Sequence, residues 1–141
     1  MKRDLRVFVV DDIPVIAYKL SEVLRDRGYS VIPYTDPLQA LQDGRSFSPH
    51  VLITDVDMPE LDGVNLAILM QAQCPACKVL LMSGHIGPIE NLESARKKGF
   101  QFPLFAKPVS AQTMVEQLEG LSATMTHSPL DTLWKVPGFE C

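Results

Sequence analysis

Apolar residues along the 141-residue chain gather in five short runs: Leu5 to Val10, Ser30 to Tyr34, Val51 to Thr54, Lys78 to Met82 and Gln101 to Ala106. Each is too short for a helix and too continuously apolar for a sheet with one wet face, so each predicts a strand covered on both sides. Between the runs the spacing turns helical. Ile16, Leu20, Val23 and Leu24 fall at i, i+4, i+7 and i+8, with Pro14 tolerated in the first turn and Gly28 as the stop. Asp36 followed by Pro37 predicts an N-cap that opens a second helix ending near Gly44. A third helix is expected from about Leu61 to Gln73 and a fourth from Ile89 to Lys98. A fifth carries Ala111, Met114, Val115, Leu118 and Leu121 on one face.

Strand alternating with helix five times demands parallel pairing through right-handed crossovers. The expected fold is therefore α/β, a doubly wound five-stranded parallel sheet with helices on both faces. After Leu121 the period lapses, so residues 1–122 read as one domain and 123–141 as a C-terminal tail or truncated linker. Composition narrows the setting. Thirteen basic against seventeen acidic residues leave a net charge of -4, which argues against a nucleic-acid partner. The longest apolar run, Leu66 to Met70, is far short of the roughly 20 residues of a membrane span. The basic start, Met1 to Asp4, leads into an apolar stretch broken at Asp11 and Asp12, too short for a secretory signal, so the expected location is cytoplasmic. Three cysteines, an odd number, then read as reduced thiols.

In an open parallel sheet, ligands bind beyond the carboxyl ends of the strands. The residues just past each predicted strand are therefore a test for a site. Asp11 and Asp12 come after the first, Asp55 ends the third with Asp57 beyond it, Ser83 and Gly84 come after the fourth, and Lys107-Pro108 after the fifth. With the first and third strands adjacent, three carboxylates converge, and they repel one another unless a cation intervenes. Oxygen ligands without histidine or cysteine suit a hard ion such as Mg²⁺. A metal, a lysine, a hydroxyl donor and a carboxylate nucleophile together make a kit for phosphoryl transfer.

The set Asp11-Asp12, Asp55, Met58-Pro59, Asp62-Gly63, Ser83-Gly84 and Lys107-Pro108 resembles the receiver domain of two-component response regulators, over about residues 4–122. The resemblance implies a flavodoxin-like strand order 2-1-3-4-5. It implies a signalling module of a two-component system rather than an enzyme, with at most weak autophosphatase activity. Asp55 would accept a phosphoryl group from a sensor histidine kinase or a histidine phosphotransfer protein. Asp12 and Asp55 would bind Mg²⁺ directly, Asp11 through water, and Asp57 through its main-chain carbonyl. Lys107 would pair with the phosphoryl group, Ser83 would swing toward it, and Gly84 would leave the pocket open. A cis Lys107-Pro108 bond is implied, and Pro59 and Gly63 would shape the loop after Asp55, with Gly63 in a turn conformation that other residues avoid. The changed surface would engage a downstream protein, and the family admits a homodimer.

The sequence departs from that pattern where the family carries an aromatic ring three residues before the lysine. Leu104 stands there, with Phe102 and Phe105 beside it. In a strand Phe102 shares the face of Leu104 and Phe105 takes the other, so either Phe102 substitutes in the switch or the output surface responds differently. Asp57 and His85 hold positions that tune the phosphoryl lifetime in the family. Cys74-Pro75-Ala76-Cys77 falls at the end of the third helix, where the dipole has the wrong sign to activate a thiol, and reads as a helix-stop loop. Trp134 and Phe139 in the tail read equally as docking rings and as part of an unstructured end. Two other functions compete. Asp55-Val56-Asp57 is similar to the nucleophile motif of haloacid-dehalogenase-like phosphatases, and a pseudo-receiver would bind partners constitutively.

Overall fold

A computed structural model describes residues 5–84 and 87–127 of the chain. Five strands and five helices alternate: β1 (Arg6–Val10), α1 (Pro14–Asp26), β2 (Ser30–Tyr34), α2 (Pro37–Asp43), β3 (Val51–Asp55), α3 (Gly63–Gln73), β4 (Lys78–Ser83), α4 (Glu90–Lys97), β5 (Leu104–Ala106) and α5 (Ala111–His127). The strands form one parallel sheet in the order β2-β1-β3-β4-β5. It is the flavodoxin-like arrangement expected from the sequence.

Two cores flank the sheet. Phe8, Val10, Leu52 and Leu81 point toward α2, α3 and α4, where they meet Ala40, Leu66, Met70, Leu92 and Ala95. Val7, Val9, Ile53 and Met82 point the other way, onto Leu20 and Leu24 of α1 and Met114, Val115 and Leu118 of α5. Alternate residues of each central strand thus serve opposite faces, and this is why β1 and β3 read as unbroken apolar runs.

Local signals set the boundaries. The Asp36 carboxylate accepts from the Leu38 N–H at 2.9 Å and caps α2. Gly28 has φ +98° just past the end of α1, a conformation that costs a glycine little. Cys74 is the C-cap of α3, and both Cys74 and Cys77 are buried core residues.

Two expectations are corrected. The apolar pattern predicts a fifth strand from Gln101, yet only Leu104–Ala106 pairs as strand. Pro103 has no N–H to give and restricts Phe102 before it, although its carbonyl still accepts from the Leu81 N–H at 2.8 Å. Nor are all five strands covered on both sides. β2 and β5 are the margins of the sheet, and Leu104 in β5 is 39% exposed. β2 carries Pro33, a residue tolerated only at such a margin. No helix among the described residues is long and apolar enough to cross a membrane. His85, Trp134, Phe139 and Cys141 lie outside the described residues.

Candidate functional site

Parallel pairing puts the carboxyl ends of β1, β3, β4 and β5 along one edge of the sheet. Val10 lies beside Thr54, Asp55 beside Met82, and Ser83 beside Ala106. Side chains just beyond those pairs are therefore neighbours. Asp11, Asp12 and Asp55 each offer a carboxylate oxygen, all within 4.8 Å of one another. The ammonium of Lys107 reaches across two strands to Asp11 Oδ2 at 2.7 Å and to Asp55 Oδ1 at 3.2 Å.

Asp11 and Lys107 are held by backbone hydrogen bonds. The Asp11 N–H donates to the Tyr34 carbonyl at 3.0 Å, and Asp11 Oδ1 accepts from the Ile13 N–H at 2.9 Å. The Lys107 N–H donates to the Ser83 carbonyl at 2.9 Å, tying the lysine to the end of β4. The Lys107-Pro108 peptide bond is cis. Asp11, Asp55 and Ser83 are buried, while Asp12 is the most open of the three carboxylates.

Burial pushes the Asp55 carboxyl up to about 6. The Lys107 charge works against that shift, and the Asp11 and Asp12 carboxylates add to it. For Lys107, burial alone would lower the pKa, but its hydrogen bond to Asp11 and the charges of Asp55 and Asp11 outweigh this and hold it above the ordinary value. Three carboxylates face one ammonium, so the cluster carries excess negative charge. A hard divalent cation with oxygen ligands fits that donor set, and Asp12 leaves it an open side.

The loop after β3 gives Gly63 a different role from the one expected. Gly63 does not have positive φ; that conformation falls on Glu60, at φ 70°. What Gly63 supplies is space. A Cβ there would lie 2.0 Å from the carbonyl oxygen of Asp55, against which α3 starts. The Gly63 N–H also donates to the Val56 carbonyl at 2.8 Å. At Gly84, by contrast, a Cβ would meet nothing within 4 Å. Met58 is buried and Pro59 exposed, and Asp57 points away from the core as an exposed residue outside the carboxylate cluster.

The fifth-strand region keeps the faces that alternation predicts, with Phe102 and Leu104 on one side and Phe105 on the other. Phe102 is 4% exposed and lies with Leu92 and Ala95 in the core beneath α4. Its ring centroid is 5.6 Å from that of Phe100. Phe105 packs on the opposite face, toward α1 and α5. Leu104 lies beside Leu81 on the α4 face but stays exposed. Sequence reasoning missed one link near the site. Asp62 caps α3 through the Asn65 N–H at 3.0 Å, and its other oxygen accepts from the Asn91 amide of α4 at 3.3 Å. The cap was readable from Asp62 standing three residues before Asn65, but the contact across 29 positions left no local signal.

Comparisons with known proteins agree with this geometry. The family described as response regulator receiver domain matches residues 7–119. Protein-glutamate methylesterase/protein-glutamine glutaminase 1 of Anaeromyxobacter dehalogenans is 36% identical over 83 residues, which are 59% of this chain and 24% of that protein. Chemotaxis protein CheY of Listeria monocytogenes is 27% identical over 116 residues, 82% of this chain and 96% of that protein. The crystal structure of a response regulator receiver domain protein from Clostridium thermocellum superposes with a TM-score of 0.75 at 26% identity, covering 86% of this chain and 97% of the other. Against the methylesterase and two regulatory proteins, the chain spans between 24% and 48% of their length.

Proposed function

The chain belongs to the response regulator receiver family, and from that premise we propose that it is a phosphoacceptor module whose Asp55 takes a phosphoryl group from a sensor histidine kinase or a histidine phosphotransfer protein. The observation that carries this reading is the convergence of Asp11, Asp12 and Asp55 within 4.8 Å, with the Lys107 ammonium 3.2 Å from Asp55. An Asp55 oxygen attacks phosphorus while the P–N bond to the donor histidine breaks. The imidazole leaves with the electron pair and is reprotonated from solvent. A carboxyl near pKa 6 is mostly ionised at neutral pH, so the nucleophile is ready without a general base.

Asp11, Asp12, Asp55 and the main-chain carbonyl of Asp57 are the groups that would hold Mg²⁺, which when bound offsets the charge that carboxylates and phosphoryl oxygens bring together. Lys107, already poised between Asp11 and Asp55, moves its hydrogen bond to a phosphoryl oxygen. The hydroxyl of Ser83 reaches the same group from β4, and Gly84 keeps its approach clear. By resemblance to the family, Asp57 and His85 would tune the lifetime of the adduct, and Pro59, Gly63 and Pro108 would hold the surrounding loops. Phe102 sits in the core beneath α4, which favours a switch read out at the exposed Leu104 and α4 over one driven by a turning ring. Partner binding in the cytoplasm, to a downstream protein or a second copy, follows from that changed surface. Methylesterase activity belongs to the named relative, most of whose length this chain does not span. A phosphatase using Asp57 as its acid fits less well, because Asp57 is outside the cluster.

Intact mass after incubation with acetyl phosphate tests the reading. The expected result is one phosphoryl adduct that requires Mg²⁺ and is absent from Asp55→Asn. Lys107→Ala should form it about 10²-fold more slowly, since a preorganised charge at the reacting oxygens is lost. An adduct that survives Asp55→Asn, or that forms equally well in chelator, would overturn the assignment.

A further inference from the structure

The amino edge of the sheet, opposite the carboxylates, holds a pair of thiols that the phosphoacceptor reading does not use. Cys74 is the C-cap of α3, and Cys77 stands just before β4. A tight turn joins helix to strand, and in it the Cys77 N–H donates to the Cys74 carbonyl at 2.9 Å. Pro75 takes the second position of that turn, where its fixed φ is favoured. A turn of this kind brings its first and last Cα atoms to within about 7 Å, and a disulfide spans about 4.4–6.8 Å between Cα atoms. Both cysteines belong to the same core, on the α2, α3 and α4 face of the sheet. Pro75 and Ala76 between them are exposed, so opening this short turn admits a small reagent.

The dipole of α3 works against a thiolate at Cys74, which stands at its negative end. Basic groups of the sheet work the other way. Val51 pairs with Lys78, which sets His50 beside Cys77 one step earlier on the two strands, and the Lys78 N–H donates to the His50 carbonyl at 2.9 Å. The Arg6 N–H donates to His50 Nδ1 at 2.8 Å, so β1 brings the Arg6 guanidinium to the same edge. A thiol near arginine or histidine ionises more readily. In the reduced chain each thiol donates to a carbonyl, Cys74 to Gly44 at 3.6 Å and Cys77 to Lys78 at 3.5 Å. The first of these ties the end of α3 to Gly44, the C-cap of α2, where the helices lie so close that a Cβ would stand 2.7 Å from Met70 Sδ.

We propose that Cys74 and Cys77 are a redox-active dithiol that closes to an internal disulfide by exchange with small-molecule disulfides, and that closing it loosens α2 from the end of α3. The Cys77 thiolate attacks one sulfur of oxidised glutathione, and the first glutathione leaves as its thiolate. The Cys74 thiolate then attacks the Cys77 sulfur and expels the second glutathione. The protein dithiol is oxidised, one glutathione disulfide is reduced to two thiols, and the two protein thiol protons pass to them. Cys74 Sγ then has no hydrogen to give the Gly44 carbonyl.

Cys141→Ser removes the third cysteine and leaves the pair alone. Incubated with oxidised glutathione and no denaturant, that chain should lose two hydrogens by intact mass, carry no glutathione, and release a peptide linked between Cys74 and Cys77. Cys77→Ser in the same background should abolish the two-hydrogen loss, with Cys77→Ala read in its place if the serine variant loses its far-ultraviolet dichroism. Backbone amides of α2 should exchange hydrogen about threefold faster, or more, in the oxidised chain, while those of α5 stay unchanged. Thiols that stay reduced in the folded chain overturn the proposal, as does a glutathione left unresolved on either cysteine or a linkage between two chains. Closure that costs the chain its far-ultraviolet dichroism overturns it too, because the native turn would then not accommodate the bond. Exchange in α2 that the disulfide leaves unchanged overturns the link to α2.

Discussion

The carboxyl ends of β1 and β3 and the outer margin at β5 and α4 belong to one sheet but are built in opposite ways. β1 and β3 are two of the three inner strands, packed against helices on both faces, and nearly every residue in them is buried. β5 has three residues, only one neighbour and an exposed leucine. Three carboxylates within 4.8 Å repel one another, Lys107 offsets only part of that repulsion, and a frame that cannot relax holds the rest. A surface that changes partner contacts needs the reverse, few buried contacts and a short strand, since such regions open at low cost. The charged cluster sits on the stiffest strands, and the departure from the family pattern, Leu104, sits on the thinnest.

The sharpest way to break that comparison is to crowd the stiff region. Gly63→Ala brings a Cβ to 2.0 Å from the Asp55 carbonyl oxygen and 2.8 Å from its carbonyl carbon, both backbone atoms that cannot rotate away. The expected loss is more than about 3 kcal/mol, at the upper end for overpacking, read from urea unfolding midpoints. Gly84→Ala, at a site with open space around the Cβ, should change stability by less than about 0.5 kcal/mol. Equal effects at the two glycines would mean that the β3–α3 loop yields as easily as the open loop after β4.

The two regions also differ in how much of them the sequence exposes. Unbroken apolar runs in Val7–Val10 and Val51–Ile53 mark inner strands because both faces are covered, and the acidic residues after them then fall at one edge by geometry alone. At β5 the same reasoning overreaches. Phe102 is apolar and buried, but its burial comes from the core under α4, and Pro103 interrupts the pairing that apolar content suggests. For Gly63 the sequence suggests a conformational need, whereas the requirement is room for the Asp55 carbonyl, a contact visible only in three dimensions. Local chemistry such as the Asp36 cap is written in adjacent residues, while contacts between distant segments, such as Asp62 with Asn91, are not.

A second expectation concerns the energetic cost of the charged cluster. Burial raises the Asp55 pKa from 3.8 to about 6 in the metal-free chain, so the folded state binds a proton that the unfolded state releases. Ionised Asp55 therefore destabilises the fold above about pH 6, and the penalty fades as pH falls toward 4. Its size is about 3 kcal/mol. In chelator, Asp55→Asn should accordingly stabilise the chain at pH 7.5 by about 2–3 kcal/mol and be nearly neutral at pH 4. Urea unfolding at the two pH values checks this. Equal differences between the two proteins at both pH values would show that the cluster is not under electrostatic strain, and the stiff frame would lose its reason.

The smallest effect asks whether the two regions are joined. Beside the Lys107 ion pairs that tie the site to the end of β5, Asp62 links it to α4: one oxygen caps α3 at the site, and the other accepts from Asn91 at the start of α4. Asp62→Ala should cost about 1 kcal/mol, the usual loss of an N-cap. Asn91→Ala should cost little, because its hydrogen bond is long and exposed. In a double-mutant cycle on the unphosphorylated chain, the coupling between the two should then stay below about 0.5 kcal/mol. That value would leave α4 free to shift while the carboxylate frame holds still, as the proposed signalling surface beside a rigid acceptor would require. A coupling above about 1 kcal/mol would make the loop after Asp55 and α4 a single unit, and the readout would have to travel with the site rather than beside it.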